Sequence, residues 1–132
     1  MHKDKMCPLI SYFLQVLCRD SVTGRCYWEV DWRGTEADMA VTYRGIRRKG
    51  NGNDCSLGWN DKSWSLYCTE AKFSFVHNNK TTDVPIPASS RIGVYVDYSA
   101  GILAFYGVSD SMQLLHKVQT TFTQPHIVYC CI

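Results

Sequence analysis

Strict alternation of apolar and polar residues around Val30 predicts a β-strand with one buried face. Trp28, Val30 and Trp32 fall on one side of an extended chain, and that side carries too much apolar surface to remain in water. The other side carries Glu29 and Asp31 and is expected to meet solvent or a basic neighbouring strand. The pattern therefore predicts a half-buried strand with both tryptophans in a core.

A second alternating stretch predicts a β-hairpin. Residues 91–98 and 102–106 both alternate, and the short segment Ser99-Ala100-Gly101 between them has the composition of a turn. The two arms are expected to pair as antiparallel neighbours in one sheet.

Further short strands recur about every ten residues with turn residues between them, and no segment keeps a helical period. Because most of these strands alternate, the pattern favours an all-β sandwich of two antiparallel sheets packed face to face. The further predicted strands are 15–18, 38–43, 63–67, 72–76 and 114–118.

The connections between strands are predicted from glycine, proline and polar residues. The glycine-rich, strongly polar stretch 44–54 predicts a long loop. Residues 77–80 are predicted to end a strand, and residues 107–113 are predicted to form a loop. The two prolines within 84–87 predict an extended connector, since proline lacks a donor for sheet pairing.

The composition excludes several classes of protein. A formal net charge of +2 over 132 residues is too small to make nucleic acid or an anionic membrane the expected partner. No apolar run approaches the roughly 20 residues of a membrane-spanning helix. The seven cysteines are an odd number without Cys-x-x-Cys spacing, which predicts a reducing, cytoplasmic setting with no disulfide framework and no zinc cage.

Candidate catalytic and metal-binding residues form no recognisable motif. The sequence has no Gly-x-Ser-x-Gly, His-Glu-x-x-His or catalytic cysteine signature. Glu29 and Asp97 lie inside predicted strands and are expected to pair with arginine or backbone. Cys130 and Cys131 lie near His126, but adjacent cysteines project in different directions and a fourth ligand is not evident. We therefore predict no enzyme activity, no metal site and no cofactor.

Three motifs occur in order: WEVD at 28–31, LGWNDKSWSL at 57–66 and IGVYVDYSAGILAFY at 92–106. Together they resemble the SPRY domain of the PRY-SPRY type, found in tripartite-motif ubiquitin ligases, butyrophilins and fish innate-immune receptors. The resemblance implies an antiparallel β-sandwich of the concanavalin-like jelly-roll type. Weaker matches are VLCRDSVTGR at 16–25, RRKG at 47–50 and FTQP at 122–125.

The resemblance also predicts the domain boundaries: a lead-in at 1–14, a SPRY domain at 15–125 and a divergent tail at 126–132. The family's PRY segment is mostly lacking ahead of the match and its L-D-P motif is absent there, so the lead-in is either a PRY remnant or unrelated. The family's strand after F-T-Q-P is not matched by the tail. We therefore expect a SPRY core that lacks edge strands at both ends, as a gene fragment would, with unpaired edges and uncovered apolar faces.

The resemblance implies a non-catalytic module that recognises a protein target through variable loops. In a longer parent it would be the recognition part of a ubiquitin ligase or innate-immune receptor, with the oligomeric state set by other domains. The basic loop would supply charge complementarity, Tyr67 an aromatic anchor and the other residues hydrogen bonds. The predicted partner-binding residues are Arg47, Arg48, Lys49, Asn51, Tyr67, Thr69, His77, Asn78, Asn79, Lys80 and Asp110.

Other interpretations stay open at this point. Some butyrophilin SPRY domains bind phosphorylated metabolites in a basic pocket, and Arg47, Arg48 and His77 would suit such a pocket. The sandwich also resembles lectin folds, which makes a carbohydrate receptor an alternative. The basic loop is alternatively a solvated loop with no partner, and the whole chain a truncated product without function.

Overall fold

The computed structural model describes residues 14–17, 24–43, 61–87, 89–123 and 127–131. Strands dominate these ranges, and they contain no helix. The strands are β1 (Leu14–Leu17), β2 (Arg25–Asp31), β3 (Glu36–Tyr43), β4 (Ser63–Thr69), β5 (Phe73–His77), β6 (Lys80–Val84), β7 (Arg91–Asp97), β8 (Ile102–Val108), β9 (Met112–Gln119) and β10 (Ile127–Cys131).

The strands form two antiparallel sheets. The larger sheet has six strands in the order β1-β10-β3-β4-β5-β6, and the smaller sheet has four in the order β2-β7-β8-β9. The all-β sandwich prediction is confirmed. The predicted hairpin at 91–106 is also confirmed, because β7 and β8 are joined by a tight turn and pair along their length.

The inner faces of the two sheets meet in one apolar core. Leu66 and Phe75 contribute from the larger sheet, Val94 and Phe105 from the smaller sheet, and all four are buried. The rings of Phe75 and Phe105 approach across the core with centroids 6.1 Å apart. Each of these residues alternates with outward-facing neighbours, so the period-two pattern of the sequence is the direct cause of the core.

The strand around Val30 behaves as its pattern predicts. Trp28 and Val30 pack against the core, and Trp32 is buried just beyond the end of β2. The indole Nε1 of Trp32 donates a hydrogen bond to the carbonyl of Ser89 at 2.9 Å. This bond ties the end of β2 to the segment that leads into β7.

Strand β6 was not predicted from the sequence. Asn78 and Asn79 have φ angles of +51° and +67°, and two successive left-handed residues make the two-residue turn of a tight hairpin. His77 and Lys80 therefore pair directly, and the chain returns as β6. The prolines follow this strand, so the predicted connector is confirmed for 85–87.

Two other predictions change in the structure. The predicted loop over 107–113 is shorter, since β8 continues to Val108 and pairs there with Met112 of β9. Residues 127–131, predicted as a tail, form β10 between β1 and β3. Backbone pairs such as Gln15 with Cys130 link the two ends of the described chain.

The antiparallel registers define two ends of the sandwich. We call one the Thr69 end, where Glu36 pairs with Thr69. The other is the His77 end, where Trp64 pairs with His77. Because β4 has seven residues, these ends lie about 20 Å apart.

Candidate functional site

The predicted basic loop lies outside the described residues. Arg47, Arg48, Lys49 and Asn51 all belong to the stretch 44–60, so their role as partner contacts stays a prediction. The same holds for the alternative of a phosphate-binding pocket, which depends on both arginines. The described residues that flank this stretch belong to the His77 end, where Thr42 pairs with Ser63.

The predicted residues 77–80 form the turn at the His77 end. The Nδ1 atom of His77 lies 2.7 Å from the carbonyl oxygen of Ser63, and its ring stacks on Trp64 with centroids 4.8 Å apart and planes 7° apart. These contacts hold the imidazole against the core. Asn78, Asn79 and Lys80 are exposed at the tip of the hairpin.

Thr69 organises the turn between β4 and β5. Its hydroxyl oxygen accepts hydrogen bonds from the backbone N–H of Ala71 at 3.2 Å and of Lys72 at 3.1 Å. The hydroxyl group also lies 3.1 Å from the carbonyl oxygen of Lys72, to which it donates. This side chain therefore shapes the loop that borders the Tyr67 region.

Tyr67 lies on the outer face of the larger sheet, opposite in direction to Trp64 and Leu66, as predicted. It is partly exposed, and its hydroxyl donates a hydrogen bond to a carboxylate oxygen of Glu36 on β3. That hydrogen bond is the main reason that the pKa of Tyr67 is raised. The ring is thus oriented by a carboxylate that sequence analysis did not select.

Asp38 is the neighbour of Tyr67 across the β3–β4 pair. It is partly buried, and Ser65 Oγ donates a hydrogen bond to Asp38 Oδ1 at 3.2 Å. Burial raises the pKa of Asp38 to about 6; the Glu36 carboxylate adds to the rise and the Ser65 hydrogen bond opposes it. Tyr67, Glu36 and Asp38, which we call the Tyr67 cluster, form a polar site on the outer face of the larger sheet.

Sequence analysis missed Glu36 and Asp38. One signal for Asp38 was present, because a carboxylate stands between Ala37 and Met39 in a strand with an apolar face. That signal places Asp38 on the opposite face but says nothing of its burial. Its proximity to Tyr67 depends on strand pairing over a long sequence separation.

Asp110 lies in the turn between β8 and β9. This turn is closed by a 3.0 Å hydrogen bond from the Ser109 N–H to the Ser111 carbonyl, and Asp110 is exposed. Ser109 and Ser111 border a small groove together with Pro87, which follows β6. Asp110 is therefore at the Thr69 end, on the smaller sheet.

The structure divides the predicted binding residues into two groups. Tyr67, Thr69 and Asp110 belong to the Thr69 end, whereas the turn 77–80 belongs to the His77 end. Thr69 lies at the end of β4 opposite to the His77 pair, and Tyr67 lies three residues from that pair.

The carboxylates considered for acid–base chemistry have the partners that the sequence predicted. Arg91 Nη1 lies 3.5 Å from Glu29 Oε1, and Arg91 also binds both oxygens of Asp31 at 2.7 and 3.0 Å. Asp97 Oδ1 accepts a hydrogen bond from the backbone N–H of Ala100 at 3.2 Å. These contacts support the outer face of the smaller sheet and its hairpin turn.

The cysteine chemistry differs from the prediction at Cys26, which is disulfide-bonded. The expectation of a chain without disulfides is therefore wrong at this position. An odd cysteine count is compatible with a disulfide, and spacing alone does not show which sulfur atoms meet in space. Cys68, in contrast, is buried in the core, and its thiol donates a hydrogen bond to the carbonyl of Leu66 at 3.6 Å.

The described ranges include no helix that is long and apolar enough to cross a membrane.

Comparison with known proteins gives a consistent set of similarities. A model of the SPRY domain matches residues 25–132. The chain is 41% identical over 118 residues to stonustoxin subunit beta of Synanceia horrida, covering 86% of this chain and 17% of that protein. It is 34% identical over 116 residues to tripartite motif-containing protein 16 of Mus musculus, covering 86% of this chain and 21% of that protein.

A solved structure has the same architecture. The crystal structure of the TRIM65 PSpry domain matches with a TM-score of 0.73 and 28% sequence identity, covering 87% of this chain and 62% of that chain. The chain spans less than a quarter of the length of the two curated relatives.

Proposed function

The chain belongs to the SPRY domain family, and from this premise we propose that it is a non-catalytic module that binds a protein target. The observation that carries the proposal is the Tyr67 cluster: a partly exposed tyrosine held by Glu36 beside the partly buried Asp38. Tyrosine is a common anchor of protein interfaces because it adds apolar contact and a hydrogen bond at low entropic cost.

The chemistry of the cluster defines the target that it suits. Two carboxylates beside an aromatic ring favour a lysine or arginine side chain, which would pair with the carboxylates and pack on the ring. Because Thr69 shapes the adjoining turn, the loop 70–72 would frame this contact. The target region would then be a segment with a central basic residue and apolar neighbours.

The proposal extends to the longer protein in which this module would act and to its cellular location. Similarity to tripartite motif-containing protein 16 supports a recognition role within a longer ubiquitin-ligase or immune-receptor chain, and other domains would then set the oligomeric state. The cytoplasmic location stays a prediction. It is opposed by the Cys26 disulfide, since disulfides persist mainly in oxidising compartments.

The test starts with the full chain as an affinity bait in cell extract, read by quantitative mass spectrometry. The bait variants are Tyr67→Ala and, as a matched control, Tyr27→Ala. Tyr27 is also an exposed tyrosine that donates to a glutamate, Glu29 at 2.9 Å, but it lies on the smaller sheet. A true target is recovered by the wild-type and Tyr27→Ala chains and is lost with Tyr67→Ala.

The recovered protein is then purified and its affinity measured. Loss of an interface anchor costs about 2 kcal/mol, so we expect Tyr67→Ala to weaken binding about 30-fold and Glu36→Gln to weaken it less. The proposal is wrong if no protein binds wild-type chain in a Tyr67-dependent way. It is also wrong if Lys80→Ala at the His77 end removes binding and Tyr67→Ala does not.

A further inference from the structure

The hairpin turn between β5 and β6 carries a sequence pattern that its role as a turn does not require. Asn79-Lys80-Thr81 matches Asn-x-Ser/Thr with a residue other than proline in the middle, the acceptor pattern for N-linked glycosylation. The chain has five asparagines, and this is the one place where the pattern occurs. Its position in the fold decides whether a glycan would be tolerated.

The turn presents Asn79 to solvent. The left-handed φ angles of Asn78 and Asn79 place both residues at the tip of the two-residue turn, and both are exposed. Lys80 and Thr81 are also exposed, and they begin β6, the outermost strand of the larger sheet. A large group attached at Asn79 would therefore extend from the end of the sandwich without displacing core residues.

A second, independent observation concerns the compartment. N-linked glycans are added in the oxidising lumen of the secretory pathway, and the Cys26 disulfide is a bond that forms and persists in such a lumen. We propose that Asn79 is an acceptor site for an N-linked oligosaccharide in chains of this protein that enter the secretory pathway.

The reaction would be a group transfer from a lipid-diphosphate-linked oligosaccharide, catalysed by an oligosaccharyltransferase. The side-chain amide nitrogen of Asn79 forms a bond to the anomeric carbon of the first sugar. The bond from that carbon to the diphosphate oxygen breaks, and the lipid diphosphate leaves with the electron pair. The amide nitrogen loses one proton to a base, so atoms and charge balance without any redox step.

A glycan at this position would cover only one end of the module. It would cover the predicted contacts Asn78 and Lys80 at the His77 end. Tyr67 pairs with Ser74, three residues or about 10 Å along the strand from His77, so the Tyr67 cluster lies toward the Thr69 end, away from the tip of the turn, and would remain accessible. This consequence, unlike the acceptor site itself, rests on the proposed function.

The test is expression of the full chain in cultured animal cells behind a cleavable signal peptide, with a known secreted glycoprotein as positive control. We expect a mass increase that peptide-N-glycosidase removes, converting Asn79 to aspartate. Asn79→Gln and Thr81→Ala abolish the increase, whereas Thr81→Ser and Asn78→Gln retain it. Because modification precedes quality control, a variant that folds poorly still reports whether the site is used.

Glycosidase treatment of the purified, folded glycoprotein tests whether the glycan extends from the surface without contacting the core. We expect the glycosidase to remove the glycan without denaturant, and the melting temperature to change little on its removal. The proposal is overturned if wild-type chain shows no glycan while the control protein is modified, or if Asn79→Gln keeps the mass increase. Binding through Tyr67 is scored separately, so failure of one proposal does not decide the other.

Discussion

Asp38 shows how strongly a single residue depends on its tertiary surroundings. In sequence it is an ordinary strand carboxylate, but in the fold it is partly buried beside Tyr67 and receives a hydrogen bond from Ser65. Burial favours the uncharged acid because desolvation penalises the carboxylate. The same residue is therefore both a candidate contact for a basic target group and a source of pH dependence.

We expect Asp38→Asn to stabilise the protein at neutral pH. The folded-state pKa of about 6 lies above the ordinary value of 3.8, so the folded chain holds the proton more tightly than the unfolded chain. Stability therefore falls as pH rises through the window from about 4 to 6, by an amount on the order of 1–3 kcal/mol. Asp38→Asn should remove this loss.

The measurement is the free energy of unfolding in urea at pH 4.5 and 7.5, choices that bracket most of the window. Asp83→Asn is the control, because Asp83 is an exposed carboxylate on the same sheet, paired with Lys72 at 3.4 Å. If wild-type and Asp38→Asn lose stability in parallel as the pH rises, the assignment to Asp38 is wrong.

At the scale of elements, turn geometry decides which strands exist. The two left-handed asparagines between β5 and β6 convert a predicted strand end into a hairpin. Gly101, with a φ of +71°, likewise adopts the left-handed conformation in the tight turn between β7 and β8. Its N–H donates to the Tyr98 carbonyl at 3.2 Å, and its carbonyl accepts from the Thr120 N–H at 2.7 Å. This turn therefore also holds the end of β9.

Gly101→Ala is expected to destabilise the fold by more than about 2 kcal/mol, because a left-handed backbone disfavours alanine and the clash adds to that cost. An added Cβ would lie 1.7 Å from the Thr120 carbonyl oxygen, which belongs to the backbone. Gly93→Ala is the matched control. There the added Cβ meets the phenol end of Tyr27, an exposed side chain that has room to rotate.

Thermal or urea unfolding of both variants measures the difference. We expect Gly93→Ala to change stability by less than about 1 kcal/mol, since the strand backbone suits alanine and the tyrosine ring moves aside. Equal losses for the two glycines would show that the turn at Gly101 tolerates a side chain.

At the scale of the whole molecule, the edges of the sheets differ in chemistry. Strand β6 closes the larger sheet with exposed polar residues, which protect an edge from pairing with other chains. The smaller sheet exposes Tyr27 on β2 and Met112 and Leu114 on β9, with 42, 52 and 45% of their surfaces accessible. Among the residues whose side chains the structure describes, the exposed large apolar side chains therefore lie on the smaller sheet.

The disulfide at Cys26 gives a prediction for the whole chain. Alkylation of the denatured protein without reductant should leave at least two of the seven cysteines unlabelled, and reductant should expose them. In the native protein, Cys68 should resist labelling because it is completely buried. Mass spectrometry of protein from an oxidising expression host counts the labels. Complete labelling of all cysteines before reduction would contradict the disulfide and restore the expectation of a reducing compartment.

The sequence by itself determined the strands and their faces. Alternation around Val30, between Met39 and Tyr43, and at Trp64 and Leu66 is a local property of extended chain, so it predicted the sandwich, the inward direction of the tryptophans and the outward direction of Tyr67. Of the family motifs, 28–31 lies on β2, the end of 57–66 lies on β4, and 92–106 forms the β7–β8 hairpin. Sequence also predicted that Glu29 and Asp97 pair with arginine or backbone, and the structure pairs Glu29 with Arg91 and Asp97 with the backbone N–H of Ala100.

The tertiary structure alone decided which of these elements meet. Strand β10 lies between β1 and β3, and Asp38 is brought beside Tyr67. The antiparallel pairing of β5 with β4 places His77 beside Trp64, at the end of β4 opposite to Thr69. None of these relations follows from a local pattern, because residues far apart in sequence become neighbours through strand pairing and register. Burial, and with it the pKa of Asp38, depends on that arrangement, so sequence predicted the candidate side chains but not the site that they form.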